Sequence, residues 1–219
     1  MNTTSLVEDT ITFVKKTLHD AEAGHDWFHT QRVFNNALLI AKDEKADVLV
    51  VSLGALLHDI ADAKFHHGDE SVGPEMASEF LRSLKVGNEV IKKVVYIIEH
   101  ISFKNSVGIK RKKRHPIELQ IVQDADRLDA IGAIGIARAF HYGGFKNRRL
   151  YDPDIAPKLD QTKEEYKKSD SPTLNHFYEK LLLLKDKMNT KTGEKIALER
   201  HAFLLEFLEQ FYAEWNGTR

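Results

Sequence analysis

Two short stretches place polar, chemically capable residues where the surrounding sequence is apolar. His58 and Asp59 directly follow Gly54, Ala55, Leu56 and Leu57, and Asp124, Asp126 and Asp129 are set among Ile121, Val122, Leu128 and Ile131. A bare imidazole or carboxylate is costly to bury, so each of these groups must be ion-paired, hydrogen-bonded or bound to a metal. Arg127 inside the acidic stretch is one source of compensating charge. A divalent cation is another, and the residue types alone leave both open. Asp62 lies three residues after Asp59, about one helical turn, and can face the same side. Its alternative role is a capping carboxylate. Imidazole nitrogens and carboxylate oxygens together suit a borderline or hard divalent ion.

The elements that must position these residues are helical. Ser5 and Glu8 are spaced as a capping box ahead of an imperfect apolar stripe, Leu6, Ile11, Phe13, Val14 and Leu18. Asp26 is a candidate cap for a helix carrying His29, Val33, Ala37 and Ile40 at three- and four-residue steps. Asp47 is a candidate cap for DVLVVSLGALLHDIAD, which is apolar nearly all round and belongs at the centre of a bundle. A short helix with Pro74 near its start follows, then VIKKVVYIIEHISF with Ile91, Val94, Ile98 and Ile101 on one face. PIELQIVQDADRLDAIGAIGIARAF reads as one long helix. Residues 142–172, with Gly143, Gly144, Pro153, Pro157 and Pro172, read as an irregular loop or lid. NHFYEKLLLLKDKM and EKIALERHAFLLEFLEQFYAEW read as two last helices on either side of a TKTG turn. No strand pattern competes, so the expected class is all-α, and no repeat or composition shift marks a second domain: residues 1–219 are expected to form one.

Composition excludes several function classes. With 42% hydrophobic and 30% charged residues the chain is of ordinary globular type, and no apolar run approaches a membrane span. The net charge of −1 argues against a generally basic nucleic-acid binder. Lys110, Arg111, Lys112, Lys113 and Arg114 form a local basic run, either a solvated loop or a phosphate-attracting one. Cysteine is absent, which removes disulfides and thiolate metal sites. MNTTSLVEDTITFVKK does not read as a signal peptide, so a cytoplasmic location is expected. Of the eleven histidines, His19, His115, His141 and His201 need no special role, and the His66–His67 doublet in a polar turn is ambiguous.

The strings HDWFHTQRV, LLHDIADAK and QDADRLDAIGAIGIAR, with NHFYEKL and MNTKTG nearer the end, resemble bacterial HD-domain hydrolases of the YpgQ-like group. His29, then His58–Asp59, then Asp126 follow the H…HD…D order of that superfamily. The resemblance implies a helical bundle in which His29, His58, Asp59 and Asp126 hold one divalent cation. Manganese is the expected ion, with nickel, cobalt, iron, zinc or magnesium as alternatives. It implies a metal-dependent phosphohydrolase acting on a small-molecule nucleotide, in its sharpest form a nucleoside triphosphate pyrophosphohydrolase. Phosphomonoester or alarmone hydrolysis at the same site, dinuclear iron oxygenase chemistry, and a non-catalytic regulatory or scaffold role are the alternatives. Related hydrolases use an acid at the position of Asp62, which makes it the expected general base or water-positioning residue, with Lys64 beside it. Arg32, Arg127 and Lys64 are candidates for phosphate contacts or charge balance. His100 is a candidate ligand for a second metal, as in some relatives, and Asn175 and His176 are candidates to line the pocket. A homodimer is one expected assembly; no specific nucleic-acid or membrane partner is expected.

Overall fold

The computed structural model describes residues 2–21, 24–61, 69–101, 115–159 and 170–219. Among the described residues there are nine α-helices and no strand, so the all-α expectation holds. We number them α1 (Thr3–Thr17), α2 (Trp27–Ala41), α3 (Val48–Leu57), α4 (Val72–Ser83), α5 (Asn88–His100), α6 (Ile117–Asp129), α7 (Gly132–Phe145), α8 (Asn175–Glu179) and α9 (Lys191–Trp215). A 3₁₀ helix, Leu181–Lys187, joins α8 to α9. The chain forms two compact units, Met1–Asp126 and Arg127–Arg219. Among the described residues no helix is long and apolar enough to cross a membrane.

In the first unit α3 is the hub. It packs against α1, α2 and α5, and Val50, Val51, Leu53, Ala55, Leu56 and Leu57 are fully buried, as an all-round apolar helix requires. Asp47 caps it by accepting from Leu49 N at 3.1 Å and Val50 N at 3.3 Å. The helix stops at Leu57, earlier than its sequence pattern suggests, and His58 is its C-cap. His58 itself supplies a reason. Its Nδ1 lies 2.8 Å from the Ala55 carbonyl, the group that the next helical N–H would use. At the start of the chain Asn2, rather than Ser5, is the cap of α1: it accepts from Thr4 N, and Ser5 and Glu8 lie inside the helix.

The second unit departs further from local patterning. The single helix expected over residues 116–140 is broken after Asp129, and α7 begins at Gly132 with φ +74°, a conformation that disfavours any side chain. Arg200 donates to the Leu128 carbonyl at 2.5 Å and so satisfies one of the carbonyls that the break leaves without a helical partner. α7 then runs on to Phe145, so Tyr142–Phe145 are helical and not part of an irregular segment. Gly143 signalled a loop in the sequence, but a Cβ there would lie 2.1 Å from Thr173 Oγ1; close packing explains this glycine. Residues 160–169 of the expected lid lie outside the described residues.

The helix expected over residues 175–188 is the five-residue α8 followed by the 3₁₀ helix, with Lys180 (φ −143°) as the break. The buried Leu181 and Leu184 are three apart, the repeat of a 3₁₀ turn. The TKTG turn is instead the start of α9, whose cap Thr190 accepts from Gly193 N at 2.9 Å. α9 packs on α7 and the 3₁₀ helix, with Phe177 fully buried and stacked on Phe207 at 5.7 Å.

Candidate metal centre

Three helices of the first unit bring His29, His58 and Asp126 together, with one ligand atom from each lying within 4.8 Å of the others. Each is placed by a local device. Asp26 accepts from His29 N at 2.9 Å, closing the first turn of α2 around the residue that carries the imidazole. Such a cap contributes about 1 kcal/mol. His58 ends α3, and because a carbonyl can only accept, its Nδ1 must be the donor to Ala55. With Nδ1–H committed to Ala55, Nε2 is the nitrogen left to face a metal. Asp126 is held by its neighbour: Asn36, buried on α2 two turns after His29, donates Nδ2 to the Ala125 carbonyl at 3.3 Å. Gln123, also on α6, donates to the His100 carbonyl at 2.9 Å. These two bonds tie α6 to α2, through its backbone, and to the end of α5, through the Gln123 side chain.

His29 Nε2 and Asp126 Oδ1 stand 3.6 Å apart. Two ligands about 2.1 Å from a common ion are separated by roughly 3.0–3.6 Å for angles between about 90° and 120°, so this spacing fits a shared divalent cation. The His29 and His58 rings are 5.4 Å apart and nearly perpendicular. Both imidazoles are buried, whereas the Asp126 side chain is 42% exposed, so solvent reaches the cluster on its carboxylate side. The donor set of two nitrogens and a carboxylate oxygen suits a borderline or hard divalent ion and leaves coordination positions for other ligands.

Asp59 lies beside this cluster and not in it. Its Oδ2 is 2.5 Å from His25 Nδ1. Burial works to raise the Asp59 carboxyl, but the His25 hydrogen bond and the positive potential of His58, His25 and His29 outweigh it and hold the group below its ordinary value. His25 was not singled out in the sequence, although it opens the string that carries His29. Asn36 was also missed; its signal is a polar residue on the otherwise apolar stripe of α2.

The other candidates are dispersed. Arg32 is half-buried on α2, one turn after His29. Arg127 donates to the Lys187 carbonyl at 2.7 Å. His100 is stacked on Tyr96 at 4.0 Å and its Nδ1 donates to the Tyr96 carbonyl at 2.9 Å. In the second unit His176 is the second residue of α8; burial first, then the charges of Lys180 and Arg148, push it down to about 3, so it is neutral at physiological pH. Asp62, Lys64, His66, His67 and the basic run Lys110–Arg114 lie outside the described residues.

A helical unit with such a donor cluster at the junction of three helices is of the kind that can hold a metal ion, and comparison with known proteins gives the family. The HD-domain model matches residues 27–131, the stretch that contains all four expected ligands. The chain is 39% identical over 206 residues to YpgQ of Bacillus subtilis, covering 94% of this chain and 92% of that one. It belongs to the HD-domain superfamily, with YpgQ among its relatives. An HD-superfamily hydrolase from Bacillus thuringiensis has a similar structure, with TM-score 0.80, 42% identity and coverage of 98% of this chain and 99% of that one. The structure of YpgQ in complex with ADP matches with TM-score 0.74 and 34% identity, over 95% of this chain and 97% of that one.

Proposed function

We propose that this chain is a metal-dependent phosphohydrolase of nucleotides, and that it cleaves nucleoside triphosphates to the monophosphate and pyrophosphate. The observation that carries the reading is the convergence of His29, His58 and Asp126 with Asp59 alongside. These four residues would hold one divalent ion, manganese by preference. When bound, such an ion lowers the pKa of water and offsets charge on a phosphoryl group. The ADP complex of the relative YpgQ supports a nucleotide as ligand.

The chain's own residues do the rest. Asp62 orients the attacking water or takes its proton. Lys64 and Arg32 neutralise phosphate charge, and the basic run Lys110–Arg114 attracts the polyphosphate. Water adds to phosphorus, the α–β anhydride bond breaks, and pyrophosphate leaves. The protein works in the cytoplasm, as a monomer or a homodimer. A nucleotide screen with added Mn²⁺, in which phosphate and pyrophosphate are measured separately, tests this. Pyrophosphate release from triphosphates, abolished by EDTA, is expected. Phosphate release from nucleoside monophosphates, with no pyrophosphate from triphosphates, would replace the reading with phosphomonoester hydrolysis, and full turnover by metal-free protein would end it.

A further inference from the structure

None of the roles above uses His25. It precedes the Asp26 cap in the segment that enters α2, and its side chain is 37% exposed while that of Asp59 is 20% exposed. Its ring is 6.0 Å from that of His29. The segment from His25 to His29 therefore carries three linked contacts: His25 to Asp59, Asp26 to the backbone of His29, and His29 to the cluster. Asp59 sits in the turn after α3, directly after His58, and does not itself join the cluster. An ionised carboxylate only accepts, so the imidazole Nδ1–H is the donor in the 2.5 Å contact.

We infer that His25 is a positioning residue for the metal centre: by holding Oδ2 of Asp59 it limits the rotation of that carboxylate beside the cluster, so that less ordering is needed for its other oxygen to join a divalent cation. This rests on the proposed metal centre and extends it to an outer residue. A carboxylate on a turn that must be immobilised by the ion itself lowers the affinity, and an outer hydrogen bond removes that cost. Losing such a partner typically weakens metal binding about 10–100-fold.

The test is Mn²⁺ binding by the full-length, EDTA-treated protein, followed by electron paramagnetic resonance of the free ion, so no nucleotide enters the readout. His25→Leu should weaken binding about 10–100-fold, and His25→Asn, which keeps an N–H near the Nδ1 position, should restore most of it. In an Asp59→Ala background His25→Leu should cost almost nothing further, because the two act as a unit. A His25→Leu variant that binds like the parent would overturn the inference, as would an undiminished loss in the Asp59→Ala background. Failure of His25→Asn to restore binding would make the imidazole itself the ligand, and would also overturn it. If His25→Leu does not fold in EDTA, His25→Gln takes its place in the same cycle. A parent protein that binds no divalent ion would instead sink the metal centre itself.

Discussion

Asp126 and Asp129 lie about one turn apart on α6, and their surroundings differ in kind. Asp129 is 1% exposed and ion-paired with Arg138, with Arg200 also nearby in the same unit. Guanidinium groups carry permanent charge and have no lone pair, so this carboxylate is neutralised by protein and has nothing to offer a metal. Burial pulls the Arg200 guanidinium below its ordinary value and Asp129 works against that, as expected of a structural charge pair. Asp126 meets imidazoles, is 42% exposed and has His29 Nε2 at 3.6 Å. Imidazole nitrogens beside a partly solvated carboxylate are a donor set that could hold a cation. Whether an acid on an apolar helix becomes structural or functional therefore depends on the donor character of what faces it.

The largest expected effect removes the structural member. Asp129→Leu leaves two guanidinium groups without their buried carboxylate and should cost about 3–5 kcal/mol in urea unfolding followed in EDTA. A loss below about 1 kcal/mol would erase the contrast with Asp126. Metal removal probes the other member. With Mn²⁺ at about 100 times its Kd, the parent should gain about 2.7 kcal/mol of stability, and neither Asp126→Ala nor His58→Ala should respond. Equal stabilisation of the parent and both variants, seen in a thermal scan, would place the ion elsewhere.

His176 shows a third way of housing a buried ionisable group, namely neutrality. In the folded chain it stays unprotonated down to about pH 3, whereas its ordinary value is 6.5. Unfolding therefore takes up a proton between those values. The stability of the folded form is complete above about pH 6.5 and falls as the pH drops below it. The side chain is half-buried, so the loss between pH 7 and pH 5 should be about 1 kcal/mol, and His176→Gln should flatten that part of the profile. An unchanged pH profile in the variant would assign the acid sensitivity to other groups. The smallest effect belongs to Arg127→Met, which loses the bond to the Lys187 carbonyl and should cost under about 1 kcal/mol. A loss as large as that of Asp129→Leu would return Arg127 to the role of counter-ion.

Much of the first unit was legible from residue order. The all-round apolar α3, its Asp47 cap and the Asp26 cap of α2 follow from period and capping chemistry, which act over a few residues. The break after Asp129 was not legible, because Gly132 looks like any small residue in an apolar run until Arg200 packs against it. Gly143 misled in the opposite direction: a loop signal in isolation, it is a packing requirement against Thr173.

The sequence by itself determined that the chain is helical, that its histidine and acidic residues follow the order of the HD-domain superfamily, and that several acids on apolar helices need compensation. Only the tertiary structure decided which partner each acid receives. Arg127 and a metal were the two sources of positive charge that the residue order offered. The fold assigns Arg138 to Asp129, the Lys187 carbonyl to Arg127, His25 to Asp59 and the His29–His58 pair to Asp126. The physical reason is range. Helical periodicity is read within a few turns, whereas burial and charge compensation are settled by side chains far apart in the chain that packing brings within a few ångströms of one another.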